Sequence, residues 1–195
     1  MMRLRLWLAL LVLSATLTQC SKCKENVTPD TPLPPETQVG ANTFGCLLNG
    51  KKWIPTQDGH LNYFRTLSIW YDPTYAGGSF SIKANINHGI TTDEFIGLSV
   101  DSITLNPQKI YLIGNKRINA GIGYINYAKD TSLNQSCDFD YGYRTDKKYL
   151  ITGIINLKKL DTKIGIASGT FEFTAYVEGC DTLKVTDGRF DIKLF

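Results

Sequence analysis

The chain has 195 residues, 43% hydrophobic and 20% charged, the balance of an ordinary globular protein, which excludes a disordered chain, a collagen-like chain and a disulfide-stapled mini-protein. Its 21 lysines and arginines against 18 aspartates and glutamates give +3, which falls to +1 once Arg3 and Arg5 near the N-terminus are set aside. No run concentrates the basic residues into the patch that phosphate neutralisation needs, so nucleic acid is not an expected partner.

In chain order, the first feature is Arg3 and Arg5, then an apolar stretch from Leu6 to Leu17, then Thr18, Gln19 and Cys20. This stretch spans only 12 residues and falls short of the ~20 that cross a hydrocarbon core, so residues 1–19 read as a secretory signal peptide. Leu17-Thr18-Gln19-Cys20 resembles the bacterial lipobox, with Leu17 at the preferred leucine position and Gln19 where Gly or Ala usually stands. That resemblance implies a lipidated Cys20 as the first mature residue, carrying a diacylglycerol and an acyl chain. Two or three chains anchor a protein stably, because each buried CH₂ contributes about 0.8 kcal/mol. The membrane is then one partner, reached through the N-terminal lipid. The expected location is the bacterial cell envelope, as an outer membrane lipoprotein, with the periplasmic or surface face left open.

Residues 20–41 read as a lipidated tether. Pro29, Pro32, Pro34 and Pro35 cannot donate to a sheet ladder and bias their neighbours to extended backbone. Residues 42–195 then form one domain.

Period-two alternation dominates from there on. Thr43 to Leu48 and Lys51 to Ile54 flank Asn49-Gly50, a strong hairpin signal because both central positions of a type I′ turn need positive φ. Further expected strands are Phe64 to Tyr71, Ser79 to Ile86, Glu94 to Leu105, Lys109 to Ile113 and Gly121 to Ala128. Asp138 to Arg144, Lys148 to Leu157, Lys163 to Val177 and Thr182 to Leu194 complete the set, with a short helix expected near Asn87 to Glu94. Phe80, Ile82, Ala84 and Ile86 share one face, as do Phe171, Phe173, Ala175 and Val177. The fold class is therefore all-β, an antiparallel β-sandwich or flattened barrel of about ten strands.

With Cys20 given to lipid, Cys23, Cys46, Cys137 and Cys180 remain, and an extracytoplasmic location permits disulfides in any of three full pairings. Cys137 and Cys180, each beside polar residues near an expected strand end, are the favoured pair. Cys46 shares a strand face with Phe44 and Leu48 and reads as a buried apolar side chain. No cysteines beyond the tether have short metal-ligand spacing, so no metal or other cofactor is expected.

Gly40-Ala41-Asn42-Thr43-Phe44-Gly45-Cys46 with Asn49-Gly50, Trp53 and Pro55, and the closing Ser168-Gly169-Thr170-Phe171-Glu172-Phe173-Thr174-Ala175 with Thr186-Asp187-Gly188-Arg189-Phe190-Asp191, resemble an uncharacterised family of Bacteroidota lipoproteins. The resemblance implies lipid anchoring and a β-rich domain, and it brings no catalytic residue. The same motifs have plain readings: Gly169 suggests a bulge or close backbone approach, and Asp187-Gly188 a tight turn. Arg189 and Asp191 alternate with Phe190 and Ile192, which puts them on the solvent face of the last strand.

Catalytic machinery is not legible. His60 and His88 are flanked by turn residues, and no nucleophile elbow, zinc-binding helix motif or phosphate loop occurs. Asp138 and Asp140 fall on one expected strand face, which a glycosidase or calcium site requires and a solvated face equally produces. The 10 tyrosines favour recognition instead, because an aromatic ring offers a flat apolar face with a polar edge. Trp70 and Tyr71 must point to opposite faces, and Tyr71, Tyr75 and Tyr141 are the candidate ligand-binding residues. The expectation is a non-catalytic envelope binding module for a glycan, a small ligand or an envelope protein. A structural or assembly lipoprotein is the alternative, and a hydrolase of glycans ranks third.

Overall fold

The computed structural model describes residues 32–58, 66–88, 91–103, 110–114, 122–129 and 149–195. The strands in chain order are β1 (Thr43–Leu48), β2 (Lys51–Trp53), β3 (Thr56–Asp58), β4 (Leu67–Asp72), β5 (Ser79–His88), β6 (Thr91–Val100), β7 (Ile110–Gly114), β8 (Ile122–Lys129), β9 (Tyr149–Asp161), β10 (Ile166–Val177) and β11 (Leu183–Lys193). One antiparallel layer runs β2-β1-β11-β10-β9-β7. A second is built from β8, β6, β5 and β4, with β3 lying parallel to the end of β5. A parallel contact of two residue pairs, Leu112 with Ile122 and Ile113 with Gly123, joins the layers, and they do not close into a barrel. The architecture is thus an all-β sandwich. Among the described residues no helix is long and apolar enough to cross a membrane.

Alternation places the core. Phe80, Ile82 and Ala84 of β5 and Ile96, Leu98 and Val100 of β6 meet Phe44 of β1, Phe171 and Phe173 of β10, and Phe190 and Ile192 of β11. The Phe44 ring lies 5.0 Å from Phe171, and Phe80 of the second layer lies 6.3 Å from Phe190 of the first. Each such buried side chain contributes about 1.5–3 kcal/mol, so this seam is the main attraction between the layers. Asn49 and Gly50 both have positive φ, as the I′ hairpin requires. No helix forms at Asn87 to Glu94: β5 runs to His88 and β6 starts at Thr91, because Ile86 and Asn87 continue the ladder through a bulge. The expected strand Asp138 to Arg144 lies outside the described residues.

Leu33 to Ala41, read from the sequence as tether, belong to the domain, whose compact unit begins at Leu33. Asp191 is the reason. Its side chain is not on the solvent face but 1% exposed. The carboxylate accepts hydrogen bonds from the Thr37 hydroxyl and from the backbone N–H groups of Val39, Gly40 and Ala41, the last three at 3.0, 2.8 and 3.2 Å. Lys158 pairs with Glu36, and the Lys159 ammonium donates to the Gln38 carbonyl at 3.0 Å. Asp187-Gly188 is likewise not a turn between strands. It is a bulge within β11, with Asp187 at φ 52°.

Cys46 is a free thiol, fully buried, and burial followed by the nearby Glu94 charge pushes it up to about 12. Only a thiolate alkylates readily, so at mildly alkaline pH Cys46 is expected to stay unlabelled by iodoacetamide until the chain unfolds. Peptide mapping that found Cys46 labelled in the native protein would refute this. Cys180 is disulfide-bonded, and Cys137, its expected partner, lies outside the described residues.

Candidate functional site: an aromatic corner on β4

Strand β4 turns Leu67, Ile69 and Tyr71 towards the core and Ser68 and Trp70 outwards. Trp70 is 46% exposed and Tyr75, in the 3₁₀ turn Tyr75–Gly77, is 59% exposed. Their rings meet edge to face, with centroids 5.6 Å apart and planes at 75°. Such a pair forms a right-angled apolar corner open to solvent.

The corner is fixed before any ligand arrives. The Asp72 carboxylate accepts from the Thr74 hydroxyl at 2.7 Å, the Thr74 N–H at 2.8 Å and the Tyr75 N–H at 3.0 Å. Those bonds, the Thr74 side chain's first, hold the Asp72 carboxyl below the usual carboxylate range, so it is ionised at neutral pH. From the other side, the Ser102 and Ile103 N–H groups donate to the carbonyls of Ala76 and Gly78 at 3.2 and 3.0 Å. Ala76 pays for this geometry with a left-handed φ of 49°.

Of the two described tyrosines singled out from the sequence, Tyr71 and Tyr75, only Tyr75 stands in this corner. Tyr71 packs against the core, so the outward member of the adjacent pair is Trp70. The signal was present in the alternation: Leu67, Ile69 and Tyr71 make an apolar set, and Ser68 and Asp72 bracket Trp70 on the polar one. Tyr141, Cys20, His60, Asp138 and Asp140 lie outside the described residues.

A second concavity, of about 240 Å³, lies where the N-terminal segment crosses the β11 bulge, lined by Glu36, Ile154, Thr170, Glu172, Asp187 and Arg189. The Arg189 guanidinium donates to the carbonyls of Asp187 and Pro34 at 3.3 and 3.4 Å, so it ties the segment down. Among the described residues no group of three His, Cys, Asp or Glu side chains is placed to hold a metal ion. Comparison of the chain with family models, with curated proteins and with solved structures found no match.

Proposed function

We propose that the protein is a non-catalytic binding module of the bacterial cell envelope, held at the outer membrane through lipid on Cys20, and that it recognises its ligand at the Trp70–Tyr75 corner. The observation that carries this is the exposure of two adjoining aromatic rings on a pre-set turn. Aromatic side chains with one apolar face free are enriched where proteins bind sugars and peptides, and pre-ordering spares the ligand the cost of fixing the loop. An assembly lipoprotein is the second reading, favoured by the outer edge of β4, which no strand pairs among the described residues.

The test is a glycan and peptide array probed with the purified full chain. Trp70→Ala is expected to weaken any bound ligand about tenfold or more while the melting temperature holds, as an exposed anchor should. Tyr71→Ala is expected instead to lower stability, because its ring packs on the core. Binding indifferent to both Trp70→Ala and Tyr75→Ala would defeat the proposal. For the anchor, Cys20→Ser should move the protein from the membrane fraction to the soluble one, and retention in membranes would refute lipid attachment there.

A further inference from the structure

The geometry points to an extended peptide segment of a partner protein as the ligand, added to the outer edge of β4 as an antiparallel strand. This rests on the reading of the Trp70–Tyr75 corner as a recognition face. The chain treats its terminal strands differently. β2, at one end of the ladder, has only three residues, two of them lysines, and both features discourage strand pairing. β4 has six residues and one charge, Asp72, at its end, with Pro73 beyond it.

The direction of its backbone groups follows from the register. Asn85 N–H donates to Thr66 O at 2.8 Å, and Leu67 pairs with Ala84 and Trp70 with Ser81. Alternation along an antiparallel ladder then turns the N–H and C=O of Ser68, Trp70 and Asp72 towards β5 and those of Leu67, Ile69 and Tyr71 outwards. Among the described residues nothing pairs with those outward groups. Leu67, Ile69 and Tyr71 are also only half-buried against the core. An added strand meets all three needs together: it completes the backbone edge, covers the inner rim and sets a side chain beside Trp70. A sugar stacked on Trp70 would leave the edge and the rim uncovered.

The register also specifies the peptide. The residue opposite Trp70 occupies a non-hydrogen-bonded pair, where Cβ atoms come within about 4.5–5.5 Å, so it is apolar. The residue opposite the exposed Asp72 carboxylate is basic, and those opposite Ile69 and Tyr71 are β-branched.

The probe is acetyl-Lys-Val-Leu-Val-Thr-amide, which runs antiparallel with its lysine at Asp72, leucine at Trp70 and threonine at Ser68. NMR titration of the ¹⁵N-labelled full chain at millimolar peptide should shift the amides of Leu67 to Asp72 and the Trp70 indole. Trp70→Ala should weaken binding about tenfold. N-methylating both valines, whose N–H groups face β4, should abolish binding, whereas N-methylating the leucine, whose N–H faces away, should change it less than about twofold. No shift on β4, or equal binding of the valine-methylated peptide, would overturn the inference. So would concentration-dependent self-association through β4, which would make a second copy the occupant. If the peptide fails while an arrayed glycan still depends on Trp70, this inference falls and the recognition reading stands. If nothing depends on Trp70, both fall.

Discussion

Replacing Asp191 by alanine should destabilise the domain by about 3 kcal/mol, enough to lower the melting temperature by roughly 10 °C in a domain of this size. The carboxylate is buried and receives four hydrogen bonds, three of them from successive backbone N–H groups of Val39, Gly40 and Ala41. A hydrogen bond to a charged group contributes about 1.5–3 kcal/mol, but the freed segment recovers part of that from water, which holds the net loss below the sum. Asp191→Asn should fall between wild type and alanine, because its amide keeps one acceptor and turns a donor towards donors. Burial pushes the Asp191 carboxyl up, but the bonds from Thr37, Val39, Gly40 and Ala41 outweigh it and hold the group below its ordinary value. A carboxyl lowered in the folded state stabilises above its unfolded value, near about 3.9, and that stabilisation is lost as pH falls through the lower folded value. The gap between wild type and Asp191→Asn should therefore be constant from neutrality to about pH 5 and shrink below about pH 4. Urea unfolding and hydrogen exchange at Val39 to Ala41 check both points. A loss under about 1 kcal/mol, or unchanged exchange in that segment, would show that the clasp is not what holds the N-terminal segment.

Much of this architecture was legible because strand patterning is local. The Asn49-Gly50 hairpin, the inward sets of β5 and β10 and the buried Cys46 all follow from period two and turn chemistry. What escaped depends on distant partners. Alternation correctly separates Asp191 from Phe190, but it cannot show that a segment some 150 residues away covers the outer face at that point. The prolines before residue 41 suggested a tether for the same reason: Pro34 and Pro35 leave few backbone donors for a ladder, yet side chains of β9 and β11 hold the segment in place. β3 is three residues long and pairs in parallel with the end of β5, too short for a pattern. The recognition corner was half legible, since Tyr75 could be named from its turn while the choice between Trp70 and Tyr71 needed the polar alternates on either side.

Gly169→Ala should be among the most damaging of the conservative core changes, costing about 3 kcal/mol or more. The expected close approach is present: Gly169 sits at the bulge where β10 shifts register against β9, paired with Leu157 on one side and Phe190 on the other. A Cβ there would lie 2.2 Å from the Asn156 carbonyl oxygen and 3.1 Å from the Phe190 ring. The first neighbour is backbone, bound into the ladder with β10 on one side and, through Ile110, with β7 on the other, so it cannot swing aside as a flexible side chain would. Relief must come from parting β9 and β10 at the centre of the layer, which breaks ladder hydrogen bonds and opens the seam beneath Phe171 and Phe190. Gly188 meets the Phe171 carbonyl in the same way one strand over, at 2.4 Å, so neither strand has slack to take up the movement. Gly114→Ala is the matched control. Among the described residues an added Cβ there meets nothing within 4 Å, and removing glycine's conformational freedom from a strand should leave stability within about 0.5 kcal/mol or raise it slightly. Equal urea midpoints for the two variants would mean that the three-strand centre is loose enough to accept a methyl group, and that the glycine serves some other purpose than close packing.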